Sequence, residues 1–466
     1  MSKIIVTKYL VKKVIDSAEE NLNYCWDLLV DLKHLTKIEN DFVHRLILFQ
    51  DRLGDCIFDL QIARKKIVRE EKRLIENKKY YKKHWFTSRM NTLSNYKKGL
   101  DCMVNISKAF GDSYAYYFYQ NEENLYAKHL NHNRIANNNA DIGKRGELEF
   151  IKNVKHIDGH FTLFHDLTNT LRYGDYSFID LKKLRVEKIG ELKTKRIDSE
   201  NINLSLTLLN RNYFETASET SKWTNTKKAK DRDERQISGI ADFLTPEVCD
   251  SNSDKRIVNA SYCDEVNQLL TGSRIKKTNI KVVSEGLAFI ALKSRSGSLF
   301  GNIFNKDKSS FGLDEIDERE FINTAAKLVK KDSESNAIII GELLYNEDFT
   351  DKNTPGTVPL FWHPIDIQQL KNIYFCNTKV SSLFNPVHLI EKVNNLGYHV
   401  DSKYSSIAKD SKIHKKGIEH FDLFLSYIMN FLMTEDFIVD IITHIENDPK
   451  IGGDMKIVIK PNQKIG

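Results

Sequence analysis

From about Ile5 to His129 the apolar residues recur every three or four positions. Leu46, Phe49, Leu53, Ile57, Leu60 and Ala63 trace one such stripe, the period of a single helix face. No proline interrupts this region. It is predicted to be all-helical. Charge thickens within it at "RKKIVREEKRLIENKKYYKKHW", Arg64 to Trp85. A later helical run, "YKKGLDCMVNISKAF", leads to the aromatic cluster "SYAYYFY", Ser113 to Tyr119. The polar, asparagine-rich "NHNRIANNNAD", Asn131 to Asp141, then reads as a loop and a boundary.

Past that loop the period changes. "GKRGELEFIKNV" opens a helix, and "HFTLFHDL", "TLRYGDYSFID" and "KLRVEKIGELK" follow as strand-like runs, with a turn at "DLKK". The polar stretch from about Asp198 to Asp233 reads as a long excursion from the sheet. "RDERQISGIADFL" and "CDEVNQLLTGS" read as helices, and "IKVVSEGLAFIAL" as strand. This order of elements suggests α/β packing around a mixed sheet. In the last third, "NAIIIGELL" is a strand, and "NPVHLIEKVNNLGY" is a helix with Pro386 in its first turn. "GIEHFDLFLSYIMNFLMTEDFIVDIITHI" reads as a long core helix. Three segments result: a helical module over 1–138, an α/β core over 139–300, and an α/β extension ending in helices over 301–466.

Composition narrows the class. The chain has 466 residues, of which 41% are hydrophobic and 10% aromatic, so it buries a substantial core and is not disordered as a whole. The net charge of +6 is a mild basic bias that fits a nucleic-acid partner. The six cysteines are scattered singly with no C-x-x-C pair, so reduced thiols are expected rather than a disulfide framework or a zinc ribbon. No stretch approaches about 18 uncharged apolar residues, so no membrane association is expected and the protein reads as cytoplasmic. No P-loop and no H-E-x-x-H spacing occurs.

"GELKTKR", Gly190 to Arg196, holds Glu191-Leu192-Lys193. An E-x-K triplet alone means little, because Glu70-Glu71-Lys72 and Glu76-Asn77-Lys78 also match. In a helix the spacing splays the two charges by about 200°. In a strand, Glu191 and Lys193 project together while Leu192 points to the other face with Val186. Of the candidates, "KIGELK" has the best strand context. Asp175 follows Gly174 at a strand start, and an antiparallel hairpin would bring it to Glu191. Glu147 falls in the first turn of a helix between Gly146 and Leu148. Asp180-Leu181-Lys182, a nearby competitor, sits at the tip of the same hairpin.

These residues, "GKRGELEF … YGDYSFID … GELK", resemble the signature of the PD-(D/E)xK, or restriction-endonuclease-like, nuclease superfamily. Glu147, Asp175, Glu191 and Lys193 match its helix acid, strand acid and (D/E)-x-K in order. "RDERQISGI" is similar to the helix that follows the sheet, where Gln236 would be a supporting residue. The resemblance covers roughly residues 140–300. It implies a mixed sheet flanked by helices. Asp175, Glu191 and Glu147 would be ligands of Mg²⁺ or Mn²⁺, and Lys193 would position and activate the attacking water. It implies hydrolysis of phosphodiester bonds in nucleic acid, DNA ahead of RNA, in prokaryotic restriction or anti-phage defence. The N-terminal helices would then serve as a sensor or as the contact to a second copy or a partner protein. The alternative is a non-catalytic nucleic-acid-binding or scaffold protein that retains the fold.

Overall fold

The computed structural model describes residues 5–35, 38–130, 156–196, 202–210, 261–272, 278–294, 298–304, 315–329, 338–344, 358–400, 416–418 and 432–440, with positions 146, 150, 152–154, 425 and 428. The chain divides into two compact units, residues 1–254 and 255–466. The first unit takes in both the helices and the sheet that the sequence pattern assigns to separate segments.

Three long helices open this unit: α1 (Lys8–His34), α2 (Asn40–Glu76) and α3 (Lys83–Tyr119), followed by α4 (Glu123–Leu130). Thr7 caps α1, its hydroxyl accepting from the Leu10 N–H at 3.2 Å. On α1, Val11, Ile15, Ala18, Leu22, Cys25, Leu29 and Leu32 are buried at helical spacing. The stripe read on α2 is inward-facing too, with Leu46, Phe49, Leu53, Ile57 and Leu60 all buried. It meets α3 through stacked Phe49 and Tyr114 rings, 4.1 Å between centroids. "SYAYYFY" is core: Tyr114, Tyr117, Phe118 and Tyr119 are buried.

The strands β1 (His156–Ile157), β2 (His160–Phe164), β3 (Tyr176–Asp180), β4 (Arg185–Arg196) and β5 (Ile202–Asn210) form one sheet in chain order. Every described pairing in it is antiparallel. The expectation of a mixed sheet is corrected here. The longest connection between these strands is residues 165–175, and a parallel pair needs a crossover of a dozen or more residues. Within the excursion expected over Asp198–Asp233, Ile202–Asn210 returns to the sheet as β5, and the rest of that stretch lies outside the described residues. The Gln50 side chain of α2 completes the edge of β2 beyond the short β1. Its amide donates to the Thr162 carbonyl at 2.8 Å and accepts from the Phe164 N–H at 2.9 Å.

The second unit holds a four-stranded antiparallel sheet, order β6–β7–β9–β8, from β6 (Thr278–Ser284), β7 (Leu287–Lys293), β8 (Ile339–Glu342) and β9 (Thr378–Phe384). Ala288, Ile290, Leu292 and Leu383 of this sheet pack with Ala325 and Val329. Helix α5 (Cys263–Gly272) is where the pattern placed it. So is α6 (Pro386–Asn395), whose cap Asn385 accepts from the Val387 N–H. The apolar run from Gly417 is not one helix. Gly417 and Ile418 lie in a strand paired in parallel with Tyr398–Val400. Further on, Leu432 takes a left-handed backbone (φ 59°) and Met433 bridges to Ser261.

Candidate active site

Strands β3 and β4 build the site. Their ladder ends at the pair Tyr176↔Gly190. One step further, the Asp175 N–H donates to the Gly190 carbonyl at 2.7 Å, and its carboxylate Oδ2 accepts from the Leu192 N–H at 2.7 Å. Asp175 is thus fastened to both neighbours of Glu191. Two acids sixteen positions apart in the chain come level on adjacent strands, as the hairpin reading expects. The fastening needs Gly174. It adopts φ +65°, and a Cβ there would lie 2.5 Å from Ile189 Cγ2 and 2.9 Å from the Gly190 carbonyl oxygen. Gly190 is confined likewise, 2.9 Å from Phe178 Cε2 at the position of a Cβ.

Along β4 the exposure alternates as a strand requires. Glu191 is half-buried, Leu192 is buried, and Lys193 is exposed. Glu191 and Lys193 therefore share a side. Val186 does not join Leu192, because the register shifts at Glu187. Phe178 pairs with Lys188 but Ile179 with Val186, and that extra residue carries Val186 to the other face. Asp180-Leu181-Lys182 is a hairpin tip, with Asp180 Oδ1 accepting from the N–H groups of Lys182 and Lys183.

The sequence reading missed a buried polar circuit behind Asp175. The Tyr173 N–H donates to His129 Nδ1 (3.1 Å), and His129 Nε2 meets Tyr119 Oη (2.9 Å). Tyr119 Oη meets Ser177 Oγ (2.6 Å), Ser177 Oγ meets His165 Nε2 (2.6 Å), and His165 Nδ1 meets the Gly174 carbonyl (3.2 Å). Both ends are backbone groups of fixed polarity. With neutral imidazoles, every proton in between then has one direction. His129 donates to Tyr119, Tyr119 to Ser177, Ser177 to His165, and His165 to Gly174. Burial pushes the Tyr119 phenol well above its ordinary range, with the Ser177 bond opposing, so it stays a donor. One signal was available: Ser177 lies two residues after Asp175 on a strand and shares its face.

The loop before Asp175 is also pinned to α3. Asp112 accepts from the N–H groups of Asn169 (2.8 Å) and Thr170 (3.0 Å), from Thr170 Oγ1 (2.8 Å) and from Asn169 Nδ2 (3.2 Å). Burial pushes its carboxyl up, and these donors oppose that. Gly111 lets the loop in, since a Cβ there would overlap the Leu167 carbonyl oxygen at 1.9 Å.

Glu147 and Gln236 lie outside the described residues. Phe150, near Glu147 in the chain, packs on Tyr176 with ring centroids 4.7 Å apart. Tyr176 alternates with Asp175 and Ser177 along β3. Among the described residues no group of three or more His, Cys, Asp or Glu side chains is placed to hold a metal ion. Asp175 and Glu191 form a pair of hard oxygen donors, a set that suits Mg²⁺ or Mn²⁺ rather than a thiophilic metal. No described helix is long and apolar enough to cross a membrane. Comparison of the chain with family models, with curated proteins and with solved structures gives no match.

Proposed function

We propose that this protein is a metal-dependent nuclease that hydrolyses phosphodiester bonds, of DNA first and of RNA as the alternative. One observation carries the reading: Asp175 is bonded to both chain neighbours of Glu191, with Lys193 two residues along the same strand. Asp175 and Glu191 would hold Mg²⁺ or Mn²⁺. When bound, such a cation neutralises phosphate charge and lowers the pKa of its water. The backbone bond to Asp175 holds its carboxylate in place before any substrate arrives, which is the preorganisation catalysis requires. Lys193 sets an exposed ammonium on the Glu191 side of β4. There it would orient the attacking water and stabilise charge building on the phosphate oxygens. The PD-(D/E)xK resemblance adds Glu147 as a third ligand and Gln236 as support, and places the activity in restriction or anti-phage defence.

The test is conversion of supercoiled plasmid in Mg²⁺, with EDTA as the control. Wild type is expected to cut. Asp175→Asn, Glu191→Gln and Lys193→Ala are each expected to lower the rate at least about 100-fold, with melting temperatures showing that the variants fold. Equal cutting by wild type and Glu191→Gln would remove the site. Salt-sensitive DNA binding without cutting by any form would favour the scaffold reading instead.

A further inference from the structure

Between α2 and α3 the chain turns through a 3-10 segment, Lys78–Tyr80, in which no residue is buried. Residues 72–90 hold seven cations (Lys72, Arg73, Lys78, Lys79, Lys82, Lys83 and Arg89) and one acid, Glu76. Seven minus one is +6, equal to the net charge of the whole chain, 70 − 64. The rest of the protein is therefore neutral on balance, and its basic character is concentrated here. Of the acids just upstream, Glu70 offsets one of these cations, Arg89, and neither reaches the lysines of the turn. Glu70 is buried against Arg89 at 2.6 Å and Glu71 pairs with Lys97 at 3.0 Å, both across to α3. Lys78, Lys79, Lys82 and Lys83 are exposed, and no ion pair among the described residues engages them.

Aromatic rings stand among these lysines. Tyr80 is 72% and Trp85 47% exposed. Tyr81 leans on Trp85, with centroids 4.9 Å apart and planes 30° apart. The Lys79 ammonium lies 5.1 Å from the Tyr80 ring centroid, and that of Lys78 lies 5.5 Å from the Phe86 centroid. The start of α3 has the same sign. Its cap position is Lys82, which makes no side-chain capping bond, and its first turn contains no acid. The N–H groups of Lys83, His84 and Trp85 precede the first intrahelical bond, from Phe86 to Lys82. Helices usually place acids and capping oxygens there. This one keeps its positive end uncompensated.

We infer that this turn is a docking surface for single-stranded nucleic acid. The lysines and the helix end meet phosphates, and the rings of Tyr80 and Trp85 offer planes on which unpaired bases stack. A duplex hides its base faces, so the exposed rings favour a single strand. Trp, Tyr and Lys also suit a lipid headgroup layer. However, Ile75 is the single exposed large aliphatic residue in the segment, and surface helices bind lipid by burying an apolar face. The surface goes beyond the cleavage reading and does not depend on it.

The test is anisotropy of a labelled oligothymidylate of about 20 nucleotides, longer than the roughly 4–16 that single-strand-binding surfaces cover. Titrations run in EDTA over a series of salt concentrations. Replacing Lys78, Lys79, Lys82 and Lys83 together by Gln should make the slope of log K against log salt shallower by about 2–3, at about 0.7 per phosphate. Tyr80→Ala and Trp85→Ala should each weaken binding about 5- to 100-fold with the slope unchanged. Circular dichroism should match wild type. Because the titrations run in EDTA, without the cation that cleavage would need, a failure of the cleavage reading leaves this result legible. Unchanged affinity in the four-lysine variant would overturn the proposal. So would equal affinity for a duplex with Tyr80→Ala and Trp85→Ala neutral. Loss of sedimentation with phosphatidylserine vesicles in the same variants, with the oligonucleotide indifferent, would overturn it in favour of a membrane.

Discussion

Glutamate and lysine meet in both sheets of this protein, and the two meetings have different geometry. In the second unit, Glu342 on β8 and Lys379 on β9 meet diagonally across neighbouring strands, Glu342 lying opposite Ser381. They form a 2.5 Å ion pair in which each side chain is 30% exposed. In the first unit, Glu191 and Lys193 lie along one strand, with Cα atoms about 6.6–6.8 Å apart at the strand rise. The across-strand neighbour is a second carboxylate, Asp175, fastened by backbone bonds on either side of Glu191. Residue types alone therefore say little. The Glu342–Lys379 pair closes on itself, whereas Glu191 and Lys193 project from the same face of one strand. On that face Asp175 adds a second carboxylate beside Glu191.

The contrast extends to how each sheet is held, and it can be broken experimentally. The largest expected effect is at Gly111, where a methyl group must displace the Leu167 backbone. Gly111→Ala should destabilise the first unit by more than about 3 kcal/mol, as overpacking against rigid backbone does. At Gly286, which supports the other sheet, a Cβ would meet the Asn385 carbonyl and the His388 side chain at 3.0 Å. Gly286→Ala should cost less in a urea titration. If the order reverses, the sheet of the first unit is not held as described.

Alkali gives the next effect. Burial raises the phenols of Tyr114, Tyr116, Tyr119 and Tyr126, Tyr116 to about 12. In the second unit burial also raises Tyr262. A phenol whose folded pKa lies above its ordinary value of about 10 contributes stability that is intact below that pH. The contribution is lost as pH rises through the folded value, at up to about 1.4 kcal/mol per pH unit for each group. Alkaline unfolding followed by tyrosinate absorbance should begin in the first unit. Earlier loss of the second would contradict this.

The smallest effect sharpens the opening contrast. A double-mutant cycle on Glu342→Gln and Lys379→Gln should return about 0.2–1 kcal/mol, the range of exposed pairs. Neither change should alter plasmid cleavage.

Much of this was legible in the chain. The helical stripe from Leu46 to Leu60, Pro386 at a helix start, and Asp175 beside Glu191 all follow from local period and turn chemistry. Strand β5 was missed although Ile202, Leu204, Leu206 and Leu208 alternate plainly. Polar neighbours on both sides masked a nine-residue signal. The bulge at Glu187 left no mark, since one surplus residue changes pairing without changing composition. The break at Leu432 was hidden inside an apolar run whose period cannot show that Met433 bridges to Ser261. The polar circuit was invisible for another reason. His129, Tyr119, Ser177 and His165 come from three separate stretches of sequence, and only packing joins them.

That circuit leaves Tyr173 and returns to Gly174, two consecutive residues, after passing through α4, α3, β3 and the turn at His165. The acid that follows these two residues is thus located by α3 and α4 as well as by its own hairpin. The strands cannot be excised as a minimal, portable site. Grafted onto another scaffold without the helices, the same hairpin would keep its sequence and lose its aim.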